Sequence, residues 1–290
     1  MSRGKRHAYE MPAYWRRPVV PRAARLAARY TMMALIAVVM VGPFLWFGSI
    51  AIRGAGNIYQ IQLIPDEPTL ENFKIVWKEF GIGRSFLNSV WVAALSVGLN
   101  LLFASLAAYP LARLTFPGRK LIFALILSTL FLPFQVYMIP LYLLCWKMGL
   151  QNTFTGVVLP FSVSAFGVYL LRQYYLTIPS SLDEAARVDG ASEFRIWAQV
   201  MLPLTKPALA SLAVFAFVAN WSNFLWPLII LQDERKYTLP VMIAKLTGAF
   251  IDRTAYLAAG SVIAILPVIV LFWALQRFFI GGITLGAVKG

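Results

Sequence analysis

Cysteine and histidine are all but missing: Cys145 and His7 stand alone in a chain of 290 residues. One cysteine cannot close an intrachain disulfide, and Cys145 has no ligand cluster around it, so redox and zinc roles are unsupported and it reads as a packed small side chain. His7 lies in a basic tail, which leaves no histidine for a catalytic constellation among the apolar segments. Charge is scarce as well. Asp, Glu, Lys and Arg make up 13% of the chain, against roughly 25% in soluble domains. There is no Gly-x-x-x-x-Gly-Lys-Ser/Thr phosphate loop, which excludes ATP binding by that route. No internal repeat or low-complexity segment is visible, which weakens an inverted-repeat carrier.

What remains is apolar: 60% of residues are hydrophobic and the mean hydropathy is +0.71. An unpaired peptide group in hydrocarbon costs several kcal/mol, and a helix of about 20 apolar residues satisfies all of them locally. Six stretches qualify: 30–52, 88–112, 121–146, 153–176, 208–231 and 257–280. The expected fold class is therefore all-α integral membrane with six transmembrane helices. The runs are too long, and alternate too little, for barrel strands. Internal prolines (Pro43, Pro110, Pro133, Pro140, Pro160, Pro227, Pro267) predict kinks.

Charge distribution orients the spans. With the N-terminus inside, 17 of the 26 Lys and Arg residues fall on cytoplasmic segments, the bias of the positive-inside rule. Both termini are then cytoplasmic and the protein sits in the plasma (inner) membrane. The net charge of +14 concentrates in segment 1–29, which reads as a topology signal against anionic lipid and not as a nucleic-acid site. The first apolar run exceeds a signal peptide's core, so it is expected to stay as the first helix, 30–52. Trp46, Trp91, Trp146 and Trp226 fall toward outer helix ends and Trp273 toward an inner one, where lipid anchoring is the default reading.

The expected organisation is a basic segment (1–29), a first helix (30–52), an extracytoplasmic loop (53–87), a transmembrane core (88–280) and a cytoplasmic tail (281–290). In the first outer loop "ENFKIVWKEF" predicts a short amphipathic surface helix. The last outer loop, 232–255, has nearly balanced charge and reads as a solvated connection. Within the spans, Arg172 and Arg277 lie near cytoplasmic ends and no other Asp, Glu, Lys, Arg or His is found, so an internal proton or ion coupling has no obvious carrier. Neutral polar groups there, Asn100, Gln135, Asn220, Ser222 and Asn223, suit hydroxyl recognition along a substrate path, and suit interhelical hydrogen bonds equally well. Phe131, Phe134 and Tyr137 could line the same path or simply pack.

One stretch breaks the apolar pattern. "SSLDEAARVDGASE", Ser180 to Glu193, carries two Asp, two Glu and an Arg within the cytoplasmic excursion 177–207. Ser181 with Glu184 forms a capping-box pattern, Asp183 and Arg187 are spaced i, i+4, and Gly190 can stop the helix. Ser192 can cap a second helix carrying Phe194, Trp197 and Met201, ended by Pro203 and Pro207. Small residues around Gly190 make a docking shape, but spacing alone leaves a plain surface hairpin equally open.

Glu184-Ala185-Ala186, Gly190 and Val200-x-Leu202-Pro203 resemble the "EAA" loop of permease subunits of binding-protein-dependent ABC importers, with Val200 where that pattern usually has Ile. "NWSNFLWPLIIL", "YTLPV" and the closing "GAVKG" are similar to the carbohydrate-importer branch, of the maltose-permease G type, over about 63–290. The resemblance implies a coupling helix seated on a cytoplasmic ATPase, with Glu184, Ala185, Ala186, Asp189 and Gly190 as the docking element. It also implies a C-terminal tail, Gly286, Ala287, Val288, Lys289 and Gly290, that reaches the ATPase pair. It implies as partners a homologous second permease, two ABC ATPase subunits that bind ATP and Mg, an extracytoplasmic solute-binding protein and a sugar substrate. This chain would then carry no catalytic residue, metal or cofactor of its own. Glycerol phosphate or another polar solute is the runner-up cargo, and a self-sufficient secondary carrier and a membrane scaffold are the rival classes.

Overall fold

The computed structural model describes residues 21–54, 64–249 and 254–287. Among the described residues the regular structure is helical, apart from one isolated bridge between Arg53 and Pro68. The chain divides into two compact units, Met1–Trp46 and Phe47–Gly290. The described part of the first is an apolar helix, α1 (Arg22–Ala51), which contains Pro43 and continues into the second unit. Most of the expected basic segment, residues 1–20, lies outside the described residues.

The second unit is organised around one helix. After α2 (Glu71–Lys78), the expected amphipathic surface helix, comes α3 (Ile82–Arg113), a single run of 32 residues that keeps Pro110 in its last turn. Each of three apolar clusters takes residues from α3: Ala104, Ala108 and Tyr109 in one, Ile82 and Ala93 in the second, Val92 in the third. Cys145 is buried in the third cluster, as a packed side chain.

Three further segments are bent. α4 (Arg119–Ser128), extended by a tight turn to Phe131, meets α5 (Phe134–Lys147) at 105°. The break falls at Pro133, which has no amide to donate and holds Leu132 in an extended conformation (ψ 114°). α6 (Phe154–Val158), carried on to Phe161, meets α7 (Ala165–Thr177) at 43°, where the Ser164 hydroxyl accepts from the Gly167 amide at 3.0 Å. Then α8 (Ser181–Val188) leads to α9 (Glu193–Leu204), whose Ile196–Met201 stretch is a widened π turn, and α9 meets α10 (Lys206–Trp221) at 80°. Buried Thr205 marks that corner, its hydroxyl donating to the Met201 and Leu202 carbonyls; the helix thus ends between the two expected prolines. α11 (Leu225–Ile230), α12 (Leu239–Ala249) and α13 (Thr254–Ala287) complete the chain.

By length and composition α1, α3 and α13 can each cross a membrane, and the three bent pairs raise the total to as many as six spans. Three expectations are corrected. The run 208–231 is not one helix: it stops at Trp221, where the Ser222 backbone leaves the helix (ψ 1°), and resumes at Leu225, and Pro227 has no amide to close a turn back to the Asn223 carbonyl. Trp226 on the resumed helix is no lipid anchor; it is fully buried, with its indole N–H donating to the Gly156 carbonyl at 3.0 Å. The last outer loop is not a solvated connection, since it contains α12, whose Leu239, Met242 and Leu246 enter the second apolar cluster. Trp91, Trp146 and Trp273 are exposed, in keeping with the interfacial reading.

Candidate functional site

The charged loop folds as two short helices. Gly190, at φ +77°, ends α8 through paired bonds: its amide donates to the Arg187 carbonyl (3.0 Å) and the Ala191 amide reaches back to Ala186 (3.0 Å). Ser192 caps α9, its hydroxyl accepting from the Arg195 amide at 3.4 Å. The capping box does not form. Ser181 is already helical, the cap position belongs to Ser180 with no side-chain bond, and the Asp183 and Glu184 amides donate to the Ser180 carbonyl instead.

Nor do Asp183 and Arg187 pair. Each has a better partner: Asp183 turns inward to Arg113 (3.2 Å), with side chains only 3% and 8% exposed, while Arg187 Nε donates to Glu193 at 2.7 Å. The Arg113 guanidinium also donates to the Ile178 carbonyl at 2.6 Å. Burial pushes the Asp183 carboxyl above its ordinary range, and nearby Arg113 only partly offsets it. The hydrogen bond from Arg187 holds the Glu193 carboxyl below its own.

Of the residues expected to form the docking element, Glu184, Ala185, Asp189 and Gly190 are exposed and Ala186 is half-buried against the first apolar cluster. Beside them Val188 is 88% and Phe194 67% exposed. Phe194 is among the apolar positions expected on the second helix and Val188 is not; a large apolar side chain on an exposed charged loop is the signal that marks it. From the tail, Gly286 and Ala287 end α13, while Val288, Lys289 and Gly290 lie outside the described residues.

A second feature lies among the helices. A cavity of about 740 Å³ is walled by α3, α5, α7 and α10 and the breaks beside them, and all five neutral polar candidates line it: Asn100, Gln135, Asn220, Ser222 and Asn223. Among the described residues no Asp, Glu, Lys, Arg or His lines it. Asn100, on α3, is buried and accepts a hydrogen bond from Ser164 at 3.2 Å. Asn220 donates to the Ala216 carbonyl of its own helix at 2.8 Å. Phe134 and Tyr137 contribute rings, packed edge to face with centroids 5.3 Å apart; Phe131 does not line the cavity and is 85% exposed. Aromatic faces with scattered neutral donors and acceptors suit a polyhydroxylated, uncharged molecule.

Apolar helices around an uncharged polar cavity, with a charged two-helix loop outside them, define a membrane permease. The chain belongs to the family of inner membrane components of binding-protein-dependent transport systems, whose family model matches residues 100–280. It is 41% identical over 262 residues to the arabinooligosaccharides transport system permease protein AraQ of Halalkalibacterium halodurans, covering 89% of this chain and 94% of that one. It is 33% identical over 279 residues to the melibiose/raffinose/stachyose import permease protein MelC of Bacillus subtilis, covering 93% of this chain and all of that one. A chain in the crystal structure of a bacterial ABC transporter that imports the acidic polysaccharide alginate superposes with a TM-score of 0.80 at 26% identity, over 91% of this chain and 100% of that one.

Proposed function

We propose that this chain is a permease subunit of an ABC importer that carries a neutral oligosaccharide across the inner membrane. One observation carries the cargo: the cavity gathers five neutral polar side chains among aromatic rings, and among the described residues no Asp, Glu, Lys, Arg or His lines it. A carboxylate-bearing or phosphorylated cargo would meet no compensating cation there, and burying an unpaired charge is expensive. The relatives named for arabinooligosaccharides and for melibiose, raffinose and stachyose favour the same class.

In this proposal six spans cross the membrane with both termini inside: α1, α3, α13, the bent pairs α4–α5 and α6–α7, and α10, from which α9 turns off at 80° along the cytoplasmic face. The two-helix loop lies at the cytoplasmic face, with Glu184, Ala185, Ala186, Asp189 and Gly190 against a partner ATPase and Val188 and Phe194 as apolar anchors. ATP binding and hydrolysis in the ATPase pair then drive alternating access through the cavity. A second permease completes the path, and an extracytoplasmic binding protein delivers the sugar. This chain makes and breaks no covalent bond. Deleting its gene and measuring uptake of radiolabelled arabino-oligosaccharides, raffinose and glycerol phosphate tests the proposal. Loss of uptake confined to an oligosaccharide supports it, and loss confined to glycerol phosphate overturns the cargo class.

A further inference from the structure

Ser105, Tyr109 and Arg113 recur at i, i+4 and i+8 on α3, which places them on one face in successive turns. Each meets the charged loop. Trp197 Nε1 donates to Ser105 Oγ at 2.8 Å, Tyr109 OH donates to Glu193 at 2.6 Å, and Arg113 pairs with Asp183 at 3.2 Å. Glu193 also accepts from Arg187, so α8 and α9 are tied to each other as well as to α3. Tyr175 of α7 joins at the inner end of the row, its hydroxyl 2.9 Å from Ser105 Oγ.

The other end of α3 matters equally. Asn100, a wall of the cavity, lies roughly 14 Å along the axis from Tyr109, and the interval is uninterrupted helix. Gly167 of α7 packs so closely there that an added Cβ would come within 3.0 Å of both Ala104 Cβ and Asn100 Oδ1. A displacement of the loop therefore reaches the cavity wall through a stiff rod. A loop held only by chain connectivity would absorb it.

We propose that Tyr109 and Arg113 are positioning residues that lock the loop to α3, so that force applied to the loop moves the cavity wall. This rests on the importer function proposed above. A bystander role for these bonds would stabilise the fold without setting how much transport each ATP hydrolysed produces.

The test uses the whole importer reconstituted in vesicles, with Cys145→Ser removing the native thiol and spin labels on Thr115→Cys, just past α3, and Arg195→Cys, on the loop. The expected result is one narrow distance between the labels, the same without nucleotide and with ATP trapped. In the same vesicles Tyr109→Phe, which keeps the ring and removes the hydroxyl, broadens that distance and lowers sugar transported per ATP at least threefold. Arg113→Lys, which keeps a charge beside Asp183, loses less than Arg113→Gln. A label distance that changes between nucleotide states overturns the proposal, as does Tyr109→Phe lowering transport and hydrolysis in equal proportion or leaving both unchanged. Should Tyr109→Phe fail to assemble, the distance in the labelled parent decides alone. Failure of that parent to take up sugar with ATP would count against the importer function itself, a separate outcome.

Discussion

Arg113 and Asp183 form an ion pair at 3.2 Å that is shut away from solvent, and it joins the end of the central helix to the first helix of the charged loop. Breaking such a pair from one side strands a buried charge, at a cost of about 3–5 kcal/mol. Arg113→Ala should therefore lower the unfolding temperature of the purified complex clearly. Removing both partners, Arg113→Ala with Asp183→Ala, should cost less than the sum of the single changes. A double-mutant cycle on thermal unfolding gives the coupling directly.

Gly190 has φ +77° with open space beside it, so the restriction at that position is backbone conformation and not crowding. Gly190→Ala should cost about 1 kcal/mol, and Gly190→Asn less, because asparagine tolerates the left-handed region better. Thermal unfolding measures the order. If a bulkier residue here also weakens copurification of the ATPase subunits beyond what Gly190→Ala does, the exposed side of the turn is part of the docking surface.

Gly156 is restricted differently. A Cβ there would overlap the Leu150 carbonyl oxygen, and the same glycine's carbonyl holds the Trp226 indole. Gly156→Ala must displace backbone, and a loss of about 1–3 kcal/mol is expected. Trp226→Phe should cost about 1–3 kcal/mol by leaving that buried carbonyl without its donor. Both changes are read by the same unfolding measurement.

Acidification acts on the loop through Glu193. Its carboxyl is held below the ordinary range, so the ionised form is the one the fold favours. The stability it contributes is full above the unfolded value near 4.3 and is lost as pH falls through the folded value. Asp183 runs the other way, since burial raises its value and its ionised form is the disfavoured one. Loop order, followed by hydrogen exchange at the α9 amides, should fall for wild type as pH drops below about 4.3. Glu193→Gln should remove the acid-side loss that wild type shows below about pH 4.3.

Asn220 and Asn223 face the cavity on either side of the break that ends α10. A neutral hydrogen bond is worth about 0.5–1.5 kcal/mol, so Asn220→Ala or Asn223→Ala should shift the sugar concentration for half-maximal uptake by roughly two- to tenfold. Assembly with the other subunits should be unchanged, as checked by copurification.

Legibility in the sequence followed the range of each interaction. Gly190, Ser192 and the amphipathic α2 could be read because caps, stops and helical periodicity are local. The partner of Asp183 could not: a local rule offered Arg187, while burial selected Arg113 from a distant helix. α12 was hidden by flanking charges at Asp233, Glu234, Arg235 and Lys236, although Leu239, Met242 and Leu246 recur at helical spacing. Trp226 misled because its place in an apolar run matched an interfacial anchor, although Pro227 beside it predicts the kink that turns it inward. The five neutral polar residues were identified one by one from chemistry, but that they share one cavity is a tertiary fact.

The most direct measurement reconstitutes this chain with its second permease, ATPase subunits and binding protein in vesicles, and follows labelled oligosaccharide uptake with and without ATP. The expected result is uptake that requires ATP, the ATPase subunits and the binding protein together. Uptake by this chain alone, without nucleotide, would contradict it.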